Sequence, residues 1–534
     1  MNTKALKQKI LDLAIHGKLL PLEKVEKIRK EEPASVLLEK IRAEKQEKIA
    51  KGELKKDKND SFIFVGDDKR HYEKFADSSV KDIDDEIPFD VPDGWSWCRL
   101  PNLCSIPITD GTHKTPTYSD KENGIPFLSS KDVTSGKIDW SKIKYITNDL
   151  HEELYNRIAP KKNDILLAKN GTTGVGAIVE DDTIFDIYVT LAVIRPILKV
   201  INPKYLLYVI NSQFCKNQFN EHLTGIGVPN LHLVDINKTL IPIPPLSEQQ
   251  LIVAEIEKIF AQIDLLEQNK TDLQTAIKQA KSKILDLAIH GKLVPQDAND
   301  EPASVLLEKI RAEKEEKIAK GELKRDKNDS YIYKSTTDNC HYQKNADGSI
   351  VNIEDEIPFD VPDGWCWCRL GEIYYHTTGK ALKKTNENGT LRKYITTSNL
   401  YWNRFDFTEV RSMYFTEEEL EKCTIKKGDL VLCNGGDVGR AAIWTFEENI
   451  CYQNHVSRLR PKHPEFCNKF YLFLLMRYKE LDLLNGKGVG ITSLAASDLL
   501  STIFPLPPLA EQQRIVAKIE ELFSQLDSLE SNLV

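Results

Sequence analysis

Apolar side chains recur along residues 245–293 in alternating steps of four and three residues. This spacing places one apolar stripe along a helix and is typical of the a/d seam of a coiled coil. Ser247 with Gln250 predicts a capping box at the helix start, and Gly291 followed by Pro295 predicts the helix end. A helix of this length spans roughly 65 Å and needs a partner along its seam. The seam, broken by Lys270, comprises Ile252, Ile256, Ile259, Ile263, Leu266, Leu273, Ile277, Ile284 and Leu287.

The rest of the chain consists of two copies of one unit. Residues 9–19 recur unchanged at 283–293, and residues 32–45 recur at 301–314. The Gly-Trp-x-Trp segments at Gly94 and Gly364, and the PLxEQQ segments at Pro245 and Pro508, follow the same order. An internal repeat of this kind predicts two similar structural units.

The chain ends match the two halves of the central helix. Residues 509–534 match its first half, and residues 1–19 match its second half. The repeat is therefore circular, and we infer two antiparallel seam helices, one continuous and one made of two pieces. The C-terminal seam residues are Ile515, Ile519, Leu522, Leu526 and Leu529.

These patterns predict an α+β fold. Two mixed α/β domains related by a pseudo-two-fold axis are separated by a long antiparallel two-helix coiled coil. The predicted segments are N-terminal helices at 1–60, a first mixed domain at 61–245, central helices at 246–325, a second mixed domain at 326–508 and a C-terminal helix at 509–534. The stretches after Asp60 and Asp329 are interpreted as short connectors, and the charged helices after Glu32 and Glu301 as either solvated faces or docking faces.

Composition limits the function classes. The formal net charge of −8 argues weakly against nucleic-acid binding, but the mixed domains are neutral to slightly basic. The ten cysteines include no C-x-x-C pair, which favours free thiols in a reducing cytoplasm. No apolar run is long enough to span a membrane.

The sequence lacks the residues that define the enzyme motifs considered. Gly171–Gly176 lacks the Gly-Lys-Ser/Thr end of a phosphate loop. No zinc-type spacing of His and Cys and no catalytic triad is present. The sequence therefore predicts no catalytic residues and no metal site.

The two mixed domains share a frame but differ in their loops. Asp164 and Asp429 open matching strand-and-glycine segments, yet the loops after Asp110 and Thr377 are unrelated. Loops that differ on a common scaffold favour two different targets, and glycine-rich loops allow backbone N–H groups to approach phosphate. If the target is a nucleic acid, the candidate contacts are Thr112, His113, Lys114, Ser129, Ser130, Lys131, Lys169, Asn170, Thr172, Thr173, Gly227 and Asn230 in the first domain, and Lys380, Lys383, Lys384, Thr397, Ser398, Asn399, Asn434, Arg440, Asn454, His455, Lys487, Thr492 and Ser493 in the second.

Trp95, Trp97, Trp365 and Trp367 offer another means of contacting bases, by stacking. They lie in the repeated segments, where target selection is not expected. We interpret them as sealing the base of each domain.

The order of variable domain and repeated helix, with the Gly-Trp-x-Trp and PLxEQQ motifs, resembles the specificity subunit of type I restriction–modification enzymes. The resemblance covers essentially the whole chain. It implies a non-catalytic subunit in which each variable domain recognises one half of a bipartite, asymmetric site on double-stranded DNA, and the coiled coil sets the spacer.

The resemblance also implies the partners. Two methylation subunits and two motor-nuclease subunits would bind the repeated helices, and S-adenosylmethionine, ATP and Mg would belong to those partners in the cytoplasm. The alternative left open by the residues is a non-catalytic adaptor whose variable domains bind protein surfaces.

Overall fold

The computed structural model describes residues 2–52, 60–134, 136–221, 223, 229–325, 329–382, 388–484 and 493–532. It folds as two compact units, Met1–Asn269 and Lys270–Val534. Each unit contains helices and several small sheets, so the predicted two-domain, mixed α/β architecture is confirmed. None of the described helices is long and apolar enough to cross a membrane.

The first unit contains the elements up to the long central helix. Its helices are α1 Thr3–Ile15, α2 Leu22–Glu31, α3 Ala34–Ala50, α4 Asn148–Arg157, α5 Pro203–Ile210, α6 Gln213–Glu221, α7 Leu233–Asn237 and the beginning of α8 Leu246–Ile289. Its strands are β1 Ser61–Val65, β2 His71–Phe75, β3 Val80–Asp82, β4 Ser96–Arg99, β5 Thr109–Asp110, β6 Tyr118–Ser119, β7 Ile125–Leu128, β8 Lys144–Ile146, β9 Ile165–Ala168, β10 Gly176–Ile178, β11 Asp186–Ile187, β12 Leu191–Ile194 and β13 Leu240–Ile243.

The second unit contains the end of α8 and a similar series of elements. Its further helices are α9 Ala303–Ala319, α10 Leu370–Ile373, α11 Glu417–Lys422, α12 Asn468–Glu480, α13 Ala496–Ser501 and α14 Leu509–Ser531. Its strands are β14 Ser330–Lys334, β15 His341–Asn345, β16 Ile350–Asn352, β17 Cys366–Arg369, β18 Tyr374–Thr378, β19 Thr390–Ile395, β20 Leu400–Tyr401, β21 Arg404–Phe405, β22 Arg411–Phe415, β23 Thr424–Ile425, β24 Leu430–Cys433, β25 Ala441–Ile443, β26 Ile450–Tyr452, β27 Val456–Pro461 and β28 Ile503–Leu506.

Two four-stranded sheets form each mixed domain. In the first unit their strand orders are β10-β9-β12-β5 and β11-β7-β8-β6, and in the second they are β18-β27-β24-β25 and β22-β19-β26-β23. Strands β9, β12 and β24 are buried along their whole length, because they lie in the middle of their sheets and are apolar on both faces.

The Gly-Trp-x-Trp segments pair with the segments that leave each mixed domain. β4 pairs antiparallel with β13, and β17 pairs antiparallel with β28. The chain therefore enters and leaves each domain side by side, which brings the start of the next helix back to the tryptophans.

Two short segments differ from the sequence interpretation. The stretches after Asp60 and Asp329 are not simple connectors: each begins a three-stranded antiparallel sheet, β1-β2-β3 or β14-β15-β16. Tight turns join these strands, with Ser78 and Gly348 at positive φ. The sheets lie between the charged helices and the mixed domains in sequence, and among the described strands each sheet pairs only within itself.

The long helix ends as predicted but begins differently. The Lys292 amide donates to the Leu287 carbonyl and Gly291 has φ +63°, which is a Schellman-type end. At the other end α8 already begins at Leu246, so Ser247 lies inside the first turn. Its hydroxyl bonds to the Glu32 carboxylate at 3.1 Å, and the predicted capping box with Gln250 is wrong.

A short helix packs antiparallel against α8 in each unit. In the first unit Lys7 forms an ion pair with Asp264, and Thr3 bonds to Glu267 at 3.1 Å. In the second unit Lys281 forms ion pairs with Asp527 and Glu530. Seam residues of both helices lie in the same apolar core of their unit.

The seam is not buried throughout. Ile252, Ile256, Ile263, Ile277, Ile515 and Ile519 are buried. Leu266, Leu273 and Leu529 are exposed, contrary to the predicted seam. They lie near the termini of the partner helices. The first residue of α1, Thr3, bonds to Glu267, and the last described turn of α14 pairs with Lys281.

Candidate functional site

The candidate loops of the first unit meet along β11 and the segment that follows it. The Thr112 amide donates to the Ile187 carbonyl, and the Lys169 amide donates to the Thr190 carbonyl. The Ser130 amide donates to the Thr190 hydroxyl at 3.0 Å. Asn170 forms a backbone bridge with Asn230, so four separate loops share one face of the domain.

The second unit builds the same frame with different side chains. Lys380 bridges to Gln453, and the Asn454 amide donates to the Lys380 carbonyl. The Asn434 amide donates to the His455 carbonyl, and Gly435 bridges to Ser493. Arg440 Nη2 donates to the Thr397 carbonyl at 2.7 Å and joins a further loop to this face.

A glycine at the start of each frame is required by close backbone approach. A Cβ at Gly111 would lie 2.0 Å from the Ile187 carbonyl oxygen, and one at Gly379 would lie 2.3 Å from the Tyr452 carbonyl oxygen. Only glycine fits such a contact. The two faces therefore share a backbone constraint although their sequences differ.

Two predicted phosphate-binding lysines are structural. Lys169 is buried and its Nζ lies 2.5 Å from Asp110 Oδ2. Lys380 is buried and donates to Glu419 at 2.5 Å and to the Tyr414 carbonyl at 2.7 Å. A buried ammonium needs such partners, so these side chains are not available to DNA and the prediction for them is corrected.

Other predicted residues hold the loops in shape. Thr112, Ser130 and Asn399 are buried. Asn399 accepts from the Thr396 amide and donates to two carbonyls, and Ser129 bonds to Asp132 in the same turn geometry. The Thr112 hydroxyl accepts from the Lys114 amide. Buried side chains do not contact bases directly, which corrects the prediction for Thr112, Ser130 and Asn399.

The exposed candidates form the accessible part of each face. In the first unit they are His113, Lys114, Lys131 and Thr172, and in the second they are Ser398, His455 and Ser493. Ser129, Asn170, Thr173, Asn230, Thr397, Asn434, Arg440 and Asn454 are half-buried. Gly227, Lys383, Lys384, Lys487 and Thr492 lie outside the described residues.

Basic side chains beside the second face were missed. Arg392 and Lys393 are exposed on β19, the strand that leads into the Thr396 loop, and Arg411 is exposed opposite Tyr394. Arg404 lies over the Tyr401 ring, with its Cζ 4.4 Å from the ring centroid. Their position on strands rather than in glycine-rich loops explains the omission, although two adjacent cations ahead of that loop are visible in the sequence.

The base of each domain is locked by a tryptophan–glutamate hydrogen bond. Trp95 Nε1 donates to Glu248 at 3.0 Å, and Trp365 Nε1 donates to Glu511 at 2.9 Å. All four predicted tryptophans are buried, so the interpretation that they seal the domain base is confirmed.

The two locks differ in their second partner. Glu248 also accepts hydrogen bonds from Nε and Nη2 of Arg29 in α2, with Nη2 at 2.6 Å. Glu511 instead accepts from Gln296 at 2.7 Å. Burial raises the pKa of Glu511, because its hydrogen-bond donors do not offset the loss of water.

The described residues contain no group of three or more His, Cys, Asp or Glu side chains suited to a metal ion. The ten cysteines are all free thiols, and burial raises the pKa of Cys98 and Cys366 to about 12. Thiols so strongly held in the neutral form are poor nucleophiles.

A family model for the type I restriction modification DNA specificity domain matches the chain twice, at residues 92–275 and 362–533. The chain belongs to this family. Each match begins just before a Gly-Trp-x-Trp segment and runs into a seam helix, so each contains one loop face together with its tryptophan–glutamate lock.

Two curated relatives match almost end to end. The Escherichia coli type I restriction enzyme EcoAI specificity subunit is 27% identical, with 98% of this chain and 90% of the relative covered. The Escherichia coli EcoEI specificity subunit is 25% identical, with 99% of this chain and 90% of the relative covered. These matches favour the specificity-subunit interpretation over that of a protein-binding adaptor.

A solved chain shares the fold. It comes from a structure that describes complex assembly and conformational transition of the type I R-M system, and it aligns with a TM-score of 0.52. The identity is 20%, over 84% of this chain and 94% of the solved chain.

Proposed function

We propose that each mixed domain of this type I specificity subunit recognises one half of a bipartite, asymmetric DNA site through its loop face. The observation that carries the proposal is the shared backbone frame with different exposed side chains in the two units. A common frame holds the loops at the same depth in a groove, while different side chains select different bases.

The exposed residues have the chemistry for both tasks. Lys131 is exposed and forms no ion pair with any described residue, so it is free to neutralise a phosphate. Thr172 and Ser398 supply hydroxyl groups that donate to or accept from base edges. The basic residues on β19 and β22 add positive charge beside the second face.

The helices would set the spacer between the half-sites. The ion pairs and shared apolar cores of α1 with α8, and of α8 with α14, support an antiparallel coiled coil built from a circular repeat. In this proposal α8 acts as a ruler, and its length determines the number of base pairs between the two half-sites.

The chain itself would carry no catalysis. Two methylation subunits and two motor-nuclease subunits would bind the repeated helices and supply S-adenosylmethionine, ATP and Mg. The near-identity of the repeated segments in the two units supports two copies of one partner, since equal surfaces bind equal partners.

A face-specific variant tests the proposal. His113, Lys131 and Thr172 are replaced together by alanine, and the DNA of cells that contain the chain and its methylation partner is sequenced for modified bases. We expect relaxed or lost discrimination in one half of the motif and an unchanged second half. The matched variant, with Ser398, His455 and Ser493 replaced by alanine, should affect the other half; relaxation of both halves by either variant contradicts the proposal.

A further inference from the structure

The first unit contains a cavity outside the loop face. It has a volume of about 270 Å³ and lies between α3 and the β1-β2 hairpin. Leu38, Ile41, Phe62, Ile63 and Trp97 form its apolar walls. Gln46 and Lys74 also line it and are exposed, so the cavity reaches solvent.

The second unit provides an internal control for this cavity. The same helix and hairpin recur there, and Arg42, Lys45, Trp97 and Cys98 have the counterparts Arg311, Lys314, Trp367 and Cys368. Two lining residues, Gln46 and Asn102, have carboxylates as counterparts, Glu315 and Glu372. Glu315 pairs with Arg325, so Glu372 is the one that pairs with Arg311, the counterpart of Arg42.

Glu372 fills the corresponding position with a carboxylate. Its side chain is only 6% exposed, and its Oε1 accepts from Arg311 Nε at 2.7 Å. Leu307 and Ile310 of α9 are buried in this unit. Burial raises the pKa of Glu372, and the neighbouring Arg311 opposes this shift.

The first unit has the arginine without the carboxylate. Asn102 turns its amide to the Ser61 carbonyl at 2.7 Å, and no carboxylate of the described residues lies within ion-pair distance of Arg42. The guanidinium lies on the Phe62 ring, with Cζ 3.5 Å from the ring centroid. Leu38 and Ile41 are only half-buried, unlike Leu307 and Ile310 in the second unit.

The charge of the cavity favours an anion. Its ionisable lining residues are Arg42, Lys45, Lys74 and Asp60, together with the Cys98 thiol, whose pKa burial raises to about 12. Lys45 is paired with Asp60 at 2.7 Å, which leaves Arg42 and Lys74 as uncompensated cations among the described lining residues. Burial also lowers the pKa of Arg42, because nearby carboxylates do not offset its desolvation.

We propose that this cavity binds a small monocarboxylate with an apolar body, whose carboxylate pairs with Arg42 in the position that Glu372 occupies in the second unit. A planar guanidinium binds a carboxylate through two parallel hydrogen bonds. An apolar cavity of about 150 Å³ already accommodates benzene, so this larger cavity has room for an aromatic ring and a short acidic arm. The proposal is independent of DNA recognition.

The probe is 3-phenylpropanoate, with 3-phenylpropanamide as the neutral control. Both are titrated into the full-length chain by calorimetry and by ligand-observed NMR. We expect one site per chain with an affinity in the millimolar range or tighter, and binding of the amide at least about tenfold weaker, because the charge-assisted hydrogen bonds are lost.

Two reciprocal variants locate the site. Asn102→Glu should remove binding, since its carboxylate would pair with Arg42 as Glu372 pairs with Arg311. Glu372→Asn should open an equivalent site and raise the stoichiometry from one to two. Asn102→Gln, which keeps an uncharged amide, is the matched control and should retain the site.

Three results would overturn the proposal. They are no saturable binding to the wild-type chain, equal binding of acid and amide, and undiminished binding to Asn102→Glu. Thermal unfolding of each variant shows whether it is folded; if Glu372→Asn unfolds, the Asn102→Glu and Asn102→Gln pair decides the question alone.

Discussion

At the residue scale, the tryptophan–glutamate lock explains why two distant motifs recur together. The Gly-Trp-x-Trp and PLxEQQ segments are about 150 residues apart in each unit, yet Trp95 and Trp365 each donate to the glutamate of the other motif. The sequence shows that both motifs repeat, but a single indole-to-carboxylate bond cannot be deduced from repetition.

Removal of the glutamate charge should change thermal stability differently at the two locks. Glu248→Gln leaves the nearly buried Arg29 without its ion-pair partner, and breaking such a pair costs about 3 kcal/mol or more. Glu511→Gln keeps an acceptor for Trp365 and removes a charge that burial disfavours. We expect a lower thermal midpoint for Glu248→Gln and an unchanged or higher midpoint at neutral pH for Glu511→Gln.

The pH dependence of the free energy of unfolding follows from the raised pKa of Glu511. A carboxyl group whose pKa is raised on folding stabilises the fold most below the pKa of the unfolded chain. That contribution is lost as pH rises through the folded pKa. The unfolding free energy of the wild type minus that of Glu511→Gln should therefore decrease as pH rises above about 4.5. Denaturation of both proteins between pH 4 and 8 measures this difference, and an increase would contradict the assignment.

Phosphate contact is also a residue-scale prediction. Lys131→Ala should weaken DNA binding by the assembled complex and reduce its salt dependence by about one phosphate contact, because the slope counts released counterions. Lys238→Ala is the control. Lys238 is exposed, but it lies beside Arg99 next to the Gly-Trp-x-Trp segment, at the base of the domain rather than on the loop face. A titration of binding against salt concentration separates the two variants, and equal slopes for both would remove Lys131 from the interface.

At the element scale, the sequence predicts long regular features better than short ones. The seam period identifies α8, and Gly291 marks its end, because both signals depend on local geometry. The sequence interpretation makes connectors of the sheets β1-β2-β3 and β14-β15-β16, because strands of three to five residues are too short to show a clear period of two. The burial of Lys169 and Lys380 depends on Asp110 and Glu419, which are distant in sequence, so local pattern could not predict it.

The proposed ruler gives a prediction for α8. Insertion of seven residues after Lys270 keeps the a/d phase and lengthens the helix by roughly 10 Å. We expect the spacer between half-sites to grow by about three base pairs, at 3.4 Å per base pair, with both half-sites unchanged. Modified-base sequencing measures the spacer, and an unchanged spacer in an active complex would contradict the ruler.

At the scale of the whole molecule, the boundary between the compact units falls at the same place in α8 as the boundary of the circular repeat. The boundary between the units lies at Asn269 and Lys270, and Lys270 is the polar break in the predicted seam. The second unit therefore contains the end of α8, one mixed domain and α14, which is one complete repeat of the sequence.

A fragment from Lys270 to Val534 should fold and form a dimer. Its two helices already pack against each other within the unit, so a second copy would be contacted through the exposed seam residues Leu273 and Leu529. With the methylation partner it should modify a palindrome of the second half-site. Analytical ultracentrifugation and modified-base sequencing test this, and a folded monomer that is active on the intact asymmetric site would refute the circular repeat.

The central claim is that two different loop faces on one chain recognise two different half-sites. The most direct test is to sequence modified bases in cells that contain the wild-type chain and its methylation partner. The account predicts one motif with two unlike halves separated by a fixed, unspecified spacer. A single contiguous motif, or two identical halves, would contradict it.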